Sequence, residues 1–248
     1  MAYTLENKVA VVVGGSGGIG AATALALAGA GARVVVTWRA DRAGAEALAA
    51  RLPGVGHLAL QADVADSTTL NVLAGTVAER CGRADMLVNA AGFTAAVPAH
   101  DLDALDDDLI DRLFQVNWRG CFATIRAFRP LLAASGDGLI VNISSIAGMT
   151  GAGSNLAYAA AKAGIDALTK GLARALAPAI RVVAVSPGMV DTAFVPGRDA
   201  AANAKAAQTI PLRRVADPAD VADAVLACAT LLRYSTGTIV VSDGGRSL

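Results

Sequence analysis

Seven short runs rich in Val, Ile and Leu punctuate the chain, at 8–13, 33–37, 57–62, 84–89, 138–143, 180–186 and 238–241. They are largely continuous rather than alternating, as suits strands covered on both faces. Longer, Ala-rich stretches of helical character separate them, at 18–30, 42–52, 67–81, 103–129, 156–177 and 218–233. Strand–helix alternation of this kind predicts an α/β fold: a doubly wound parallel sheet of about seven strands, with helices on both faces. No repeat, low-complexity tract or linker divides the 248 residues, so one domain spanning 1–248 is expected.

Two segments break the rhythm. Residues 101–111 carry Asp101, Asp103, Asp106, Asp107, Asp108 and Asp111. Acids favour helix N-termini, so a solvated helix start is expected there rather than a metal site. Residues 187–217 are rich in Pro, Gly and Ala, and a segment this long after a strand end predicts a substrate loop or lid.

Composition narrows the class. The chain is 54% hydrophobic and 17% charged, enough apolar surface to offset chain entropy, which argues against disorder. Lys plus Arg and Asp plus Glu are both 21, and no basic stripe marks a nucleic-acid partner. No polybasic segment suits a membrane surface, and no run reaches the ~18 apolar residues of a membrane span. Lys8–Val13 runs straight into glycines with no signal-peptide architecture, so a cytoplasmic protein is expected. Cys81, Cys121 and Cys228 match no zinc spacing and read as thiols in a reducing compartment. Net neutrality suits an assembled chain.

Candidate chemistry begins where the first strand ends, in Gly14-Gly15-Ser16-Gly17-Gly18-Ile19-Gly20. A glycine turn between a strand and a helix lets backbone approach a pyrophosphate, and the helix start offers it free N–H groups and a positive dipole end. Further on, Tyr158 and Lys162 lie four residues apart in a helical stretch and therefore share a face. A free phenol has a pKa near ~10, too high for a base at neutrality. A nearby ammonium and an oxidised nicotinamide are expected to lower it, so that Tyr158 can give or take a substrate proton while hydride moves.

The spacing Gly14-x-x-x-Gly18-x-Gly20, together with Tyr158-x-x-x-Lys162 and Ser145 thirteen residues before the tyrosine, resembles the short-chain dehydrogenase/reductase family. The resemblance runs from residue 8 to about residue 245. It implies a catalytic set of Asn117, Ser145, Tyr158 and Lys162, with Ser145 donating to the carbonyl oxygen and Asn117 holding a water that links the lysine to solvent. Ser144 is the rival of Ser145, and a helix-kinking role is the rival reading of Asn117. The implied cofactor site takes in Gly14, Ser16, Gly17, Gly18, Ile19 and Gly20, then Asp63 and Val64 at the adenine. It continues with Asn89, Ala90, Ala91 and Gly92 after the fourth strand, and Pro187, Gly188, Val190 and Thr192 at the carboxamide. Tyr158 and Lys162 belong to it as well. Asn89 reads equally well as support for the sheet. Val13 stands where the family has Thr before the first glycine, which is expected to loosen a turn hydrogen bond.

At the end of the second strand, Trp38 occupies the position at which an acid would bind the ribose hydroxyls of NAD, and Arg39 follows it. An arginine there would pair with the 2′-phosphate of NADP. NADP(H) is therefore the expected cofactor, with NAD(H) the alternative, and no metal is expected. The substrate cavity is expected to include Ser145, Phe93, Met149, Met189 and Phe194, a mostly apolar set without clustered cations. His100 reads as a loop histidine. This favours an uncharged or modestly polar small-molecule ketone or alcohol. The residues favour a carbonyl reductase or alcohol dehydrogenase over a 3-oxoacyl-carrier-protein reductase, because Ala177-Pro178-Ala179 stands where the latter carries a basic docking residue. Arg126 and Arg129 could compensate. A catalytically silent nucleotide sensor would be expected to lack Tyr158 or Lys162, and a methyl transferase would bind another nucleoside. The resemblance also implies a homotetramer, or a homodimer, built through the two long helices.

Overall fold

The computed structural model describes residues 4–248. Its sheet has seven strands: β1 (Val9–Val13), β2 (Arg33–Trp38), β3 (Leu58–Gln61), β4 (Met86–Asn89), β5 (Gly138–Ile143), β6 (Ile180–Pro187) and β7 (Ile239–Ser242). All neighbours pair in parallel, in the order β3-β2-β1-β4-β5-β6-β7. The continuous apolar runs have the predicted cause. On β1, Ala10 and Val12 face one buried layer while Val9, Val11 and Val13 face the other. Both faces are covered by helices, so the central strands are apolar on both faces except where a polar side chain finds a buried partner, as Asn89 does in Asn142.

The helices are α1 (Gly18–Gly29), α2 (Arg42–Arg51), α3 (Ser67–Cys81), α4 (Asp107–Phe114), α5 (Gly120–Ala134), α6 (Ala147–Thr150), α7 (Leu156–Leu176), α8 (Ala200–Ala207) and α9 (Pro218–Thr230). The helix expected over 103–129 differs from the one observed. It starts only after Asp106, whose carboxylate accepts the Leu109 amide and caps it, with Asp107 and Asp108 in the first turn. It then widens into a π-helical segment at Gln115–Arg119 before continuing as α5. The acidic run is thus a cap and first turn, with Asp101 capping a separate turn at Ala104. No cluster of potential metal ligands occurs among the described residues.

Strand order reverses between β1 and β4. In open α/β sheets the crevice beyond the carboxyl ends of strands at such a switch is where ligands bind. The segment expected to be a loop over 187–217 is partly regular. It continues β6 to Pro187, pairs Val190 with Ala216 and contains α8.

Candidate active site

A cavity of about 1050 Å³ opens beyond the carboxyl ends of the strands, spanning the β1/β4 switch. Its floor begins at the glycine turn. Gly14 has φ +77°, and a Cβ there would lie 2.6 Å from the Ala91 nitrogen. A Cβ on Gly20 would lie 2.1 Å from the Gly14 carbonyl oxygen. These two glycines let α1 pack against the strand ends. Gly17 serves a different end, because nothing lies within 4 Å of where its Cβ would be. It is the N-cap of α1, it brings no capping side chain, and the first turn holds no acid. The free amides of α1 therefore face open space lined by Ser16, Gly17, Gly18 and Ile19, an arrangement that fits a pyrophosphate. The turn hydrogen bond expected to be loosened at Val13 is supplied from the neighbouring strand, where Thr37 Oγ1 accepts the Gly14 amide at 3.1 Å.

Trp38, Arg39, Asp63 and Val64 line the cavity beyond the ends of β2 and β3. Arg39 is exposed and makes no ion pair among those found in the described residues. Arg42 instead pairs with Glu46 one helical turn on. Asp63 is committed to its own turn and accepts the Ala65 amide. The indole Nε1 of Trp38 is buried without a partner. Ala90, Ala91 and Gly92 line the opposite wall, with Pro187, Gly188, Val190 and Thr192 beyond them. The Thr192 methyl would lie 3.2 Å from a Cβ on Gly18, so this segment reaches back to the glycine turn.

The polar centre sits on α7. Asn155 caps that helix, and its Oδ1 accepts the Tyr158 amide at 2.7 Å. Its Nδ2 donates to the Ala95 carbonyl at 2.8 Å, which ties the helix start to the 92–97 segment. Tyr158 is buried, and Ser145 is the polar side chain that acts on its phenol. Burial pushes the phenol up to about 12, and Ser145 only partly offsets it. Lys162 lies one turn on, with its ammonium 5.6 Å from the Tyr158 ring centre. It donates to the Ile143 carbonyl at 2.7 Å. Burial pulls Lys162 down to about 8, against the opposing pull of Cys121 and Asp166. Among the protein's own groups loss of solvation dominates the phenol, and Ser145 rather than Lys162 opposes it. Ser145 faces the cavity, whereas the hydroxyl of buried Ser144 donates to the Lys162 carbonyl at 3.2 Å.

Asn117 lies in the π-helical segment, 2% exposed. Its Nδ2 donates to the carbonyls of Phe93 and Leu113, and its Oδ1 is buried without a partner. That oxygen would lie 2.6 Å from a Cβ on Gly92, so only glycine fits above it. Asn117 thus sits beneath the cavity wall rather than on it. Asn89 also departs from its expected place. It is buried in β4, donates to Asn142 Oδ1 at 2.9 Å and does not line the cavity.

Of the expected substrate residues, Ser145, Phe93, Met189 and Phe194 line the cavity. The Phe194 ring lies 5.9 Å from that of Tyr158 and forms part of its roof. Met149 is a correction. It is 52% exposed and stands outside the lining, with its sulfur against Ser186 Oγ, while Ile146, Ala147 and Thr150 line the wall. His100 is exposed and also lies off the cavity. Sequence reasoning missed Arg198, Thr209, Arg246 and Ser247, which all line the cavity. The signal was faint: isolated cations in the segments after β6 and β7, far in sequence from Tyr158. The four cations of the whole cavity, Arg39, Lys162, Arg198 and Arg246, come from four different segments.

Fold and site together define a dinucleotide-dependent oxidoreductase, and the comparisons agree. Residues 14–247 match the family described as enoyl-(acyl carrier protein) reductase. The chain belongs to the short-chain dehydrogenase/reductase family and acts on alcohol and carbonyl groups with a nicotinamide cofactor. It is 41% identical over 245 residues to a ketoacyl reductase assigned to the granaticin polyketide synthase of Streptomyces violaceoruber, covering 98% of this chain and 97% of that one. It is 38% identical to carbonyl reductase family member 4 of Danio rerio, covering 98% and 99%. A solved structure described as a short-chain dehydrogenase/reductase from Burkholderia xenovorans superposes with a TM-score of 0.91 at 36% identity, covering 99% of each chain.

Proposed function

We propose that the chain is an NADP(H)-preferring carbonyl reductase or alcohol dehydrogenase, with Tyr158 as acid and base and Lys162, Ser145 and Asn117 as its partners. The observation that carries this reading is the phenol of Tyr158, buried at the cavity wall that Ser145 also lines, with an ammonium one turn below. When bound, the nicotinamide supplies or accepts the hydride. In the reducing direction a phenol held near 12 is protonated at neutral pH and gives its proton to the carbonyl oxygen. Ser145 donates a second hydrogen bond to that oxygen and steadies its developing charge. Lys162 holds a positive charge near the phenol as it loses its proton. The unpartnered Oδ1 of Asn117 is an acceptor suited to a water behind the lysine.

The pyrophosphate would be held by the amides of the Gly14–Gly20 turn, and the adenosine by Trp38, Asp63 and Val64. Ala90, Ala91 and Gly92 would pass close to the ribose, and Pro187, Gly188, Val190 and Thr192 would hold the carboxamide. Arg39, exposed at the β2 end beside the cavity, supports a 2′-phosphate there. The segment over 187–217 acts as the lid, carrying Phe194 over Tyr158. A homotetramer or homodimer is supported by Phe114, 38% exposed on α4, near the stacked pair Trp118 and Phe122. The ketoacyl relative favours a second reading, reduction of 3-oxoacyl groups on a carrier. That reading predicts that a 3-oxoacyl thioester exceeds simple ketones in kcat/KM.

The cofactor is tested by steady-state reduction of a ketone panel with NADPH and with NADH. NADPH is expected to win by about tenfold or more, a margin of about 1.4 kcal/mol. Arg39→Ala should bring the two toward parity. A tenfold preference for NADH would overturn the assignment of Arg39.

A further inference from the structure

Five charged side chains line the cavity, and four of them are cations. Arg39 and the single acid, Asp63, stand at the ends of β2 and β3, and Lys162 lies beneath Tyr158. Arg198 and Arg246 have no place in that scheme. Arg198 belongs to the same segment as Phe194, the ring over Tyr158. Its Nη2 donates to the carbonyls of Val190 and Thr192, which fixes the guanidinium against the wall. Its Nε is buried and has no partner. Arg246 enters from the turn after β7, where Asp243 accepts the amides of Gly245 and Ser247, and its Nη1 lies 3.5 Å from Thr209 Oγ1.

Neither arginine makes an ion pair among those found in the described residues. The acids on the same segments are committed elsewhere. Asp191 accepts from Asn203, Asp199 caps α8 at the Ala202 amide, and Asp243 holds its own turn. Arg198 is half-buried and Arg246 exposed, and a half-buried guanidinium without a carboxylate, as at Arg198, is costly unless something anionic meets it. The arginine fork is matched to a carboxylate.

We propose that Arg198 and Arg246 receive a carboxylate of the substrate, so that the chain acts on keto acids and hydroxy acids in preference to neutral ketones. The inference rests on the reading of Tyr158 as the proton donor and names the substrate class of that same site.

The test uses the full chain with NADPH and three matched pairs: 4-oxopentanoate, 5-oxohexanoate and 6-oxoheptanoate, each beside its methyl ester. For at least one length, kcat/KM for the acid should exceed that for the ester by about ten- to a hundredfold, the worth of a charged hydrogen bond. Arg246→Gln and Arg198→Gln should each pull that ratio toward one. Binding of NADPH by each variant, followed by nucleotide fluorescence, and binding of each acid to the NADP-loaded protein, followed by saturation-transfer NMR, complete the set. Esters turned over as fast as acids at every length overturn the carboxylate site and leave the oxidoreductase reading standing. Acids that bind while no pair is turned over overturn the keto-acid substrate class, keep the anion site and leave the oxidoreductase reading standing. A ratio unmoved by Arg198→Gln, with NADPH binding weakened tenfold or more, assigns Arg198 to the cofactor phosphates and overturns its role here. Preference for dihydroxyacetone phosphate over dihydroxyacetone, with none among the keto acids, overturns the carboxylate in favour of a phosphate.

Discussion

Tyr158 and Lys162 stand one helical turn apart, and burial moves them in opposite directions on the pH scale. The phenol rises to about 12 and the ammonium falls to about 8, because in each case the charged form loses its solvation. The lysine therefore carries a stability penalty while it is charged. Between about pH 8 and its unfolded value near 10.5 the native chain binds fewer protons at Lys162 than the unfolded chain does, so this contribution raises stability as pH rises. The sign reverses for Tyr158 between about 10 and 12, and for the buried thiols Cys121 and Cys228 above about 9. A variant comparison isolates the lysine. Lys162→Met should gain on the parent at pH 7 to 8, and the difference in urea-unfolding free energy should shift by up to about 3 kcal/mol toward the parent by pH 10. A difference constant across that range would contradict a lowered lysine. Tyr158, Lys162 and Ser145 were legible in the sequence, the first two because i and i+4 must share a helix face. Arg198, Arg246 and Thr37 were not, because their partners in the fold are set by long-range packing that spacing does not encode.

At the level of elements, the π-helical turn and the α7 cap position the chemistry. The strands could be read from the sequence because a strand buried on both sides leaves a continuous apolar run. The interruption at Gln115–Arg119 could not, since a single π-turn shifts the hydrophobic phase by only one residue, too little to stand out within two short helices. The cap was missed for a related reason: Asn155 shows its role only once the 92–97 segment lies beside it. Asn155→Ala removes the acceptor for the Tyr158 amide and the donor to Ala95 together. It should cost about 1–2 kcal/mol, a fall of about 2–8 °C in Tm for a chain of this size. It should also lower kcat more than it raises KM, since the phenol loses its anchor. Asn155→Asp keeps the cap and loses the donor, so its Tm should fall less. Calorimetry and steady-state kinetics check both, and unchanged kcat in Asn155→Ala would show that the cap does not position the tyrosine.

Across the whole molecule, the sheet order places the glycine turn of β1, the end of β4 and the α7 start around one cavity. Strand alternation implied the sheet, and the motif set implied the family. The composition of the cavity's far wall, with its two unpaired arginines, depended on how the segments after β6 and β7 fold back. No helix among the described residues is long and apolar enough to cross a membrane. The account as a whole stands on one proton donor facing a bound dinucleotide. The most direct test is Tyr158→Phe, measured for ketone reduction with NADPH and, separately, for NADPH binding by fluorescence. The variant should lose about a hundred- to ten-thousandfold in kcat, the usual worth of general acid catalysis, while binding the dinucleotide within about threefold of the parent. Turnover equal to the parent's, with binding intact, would contradict the mechanism.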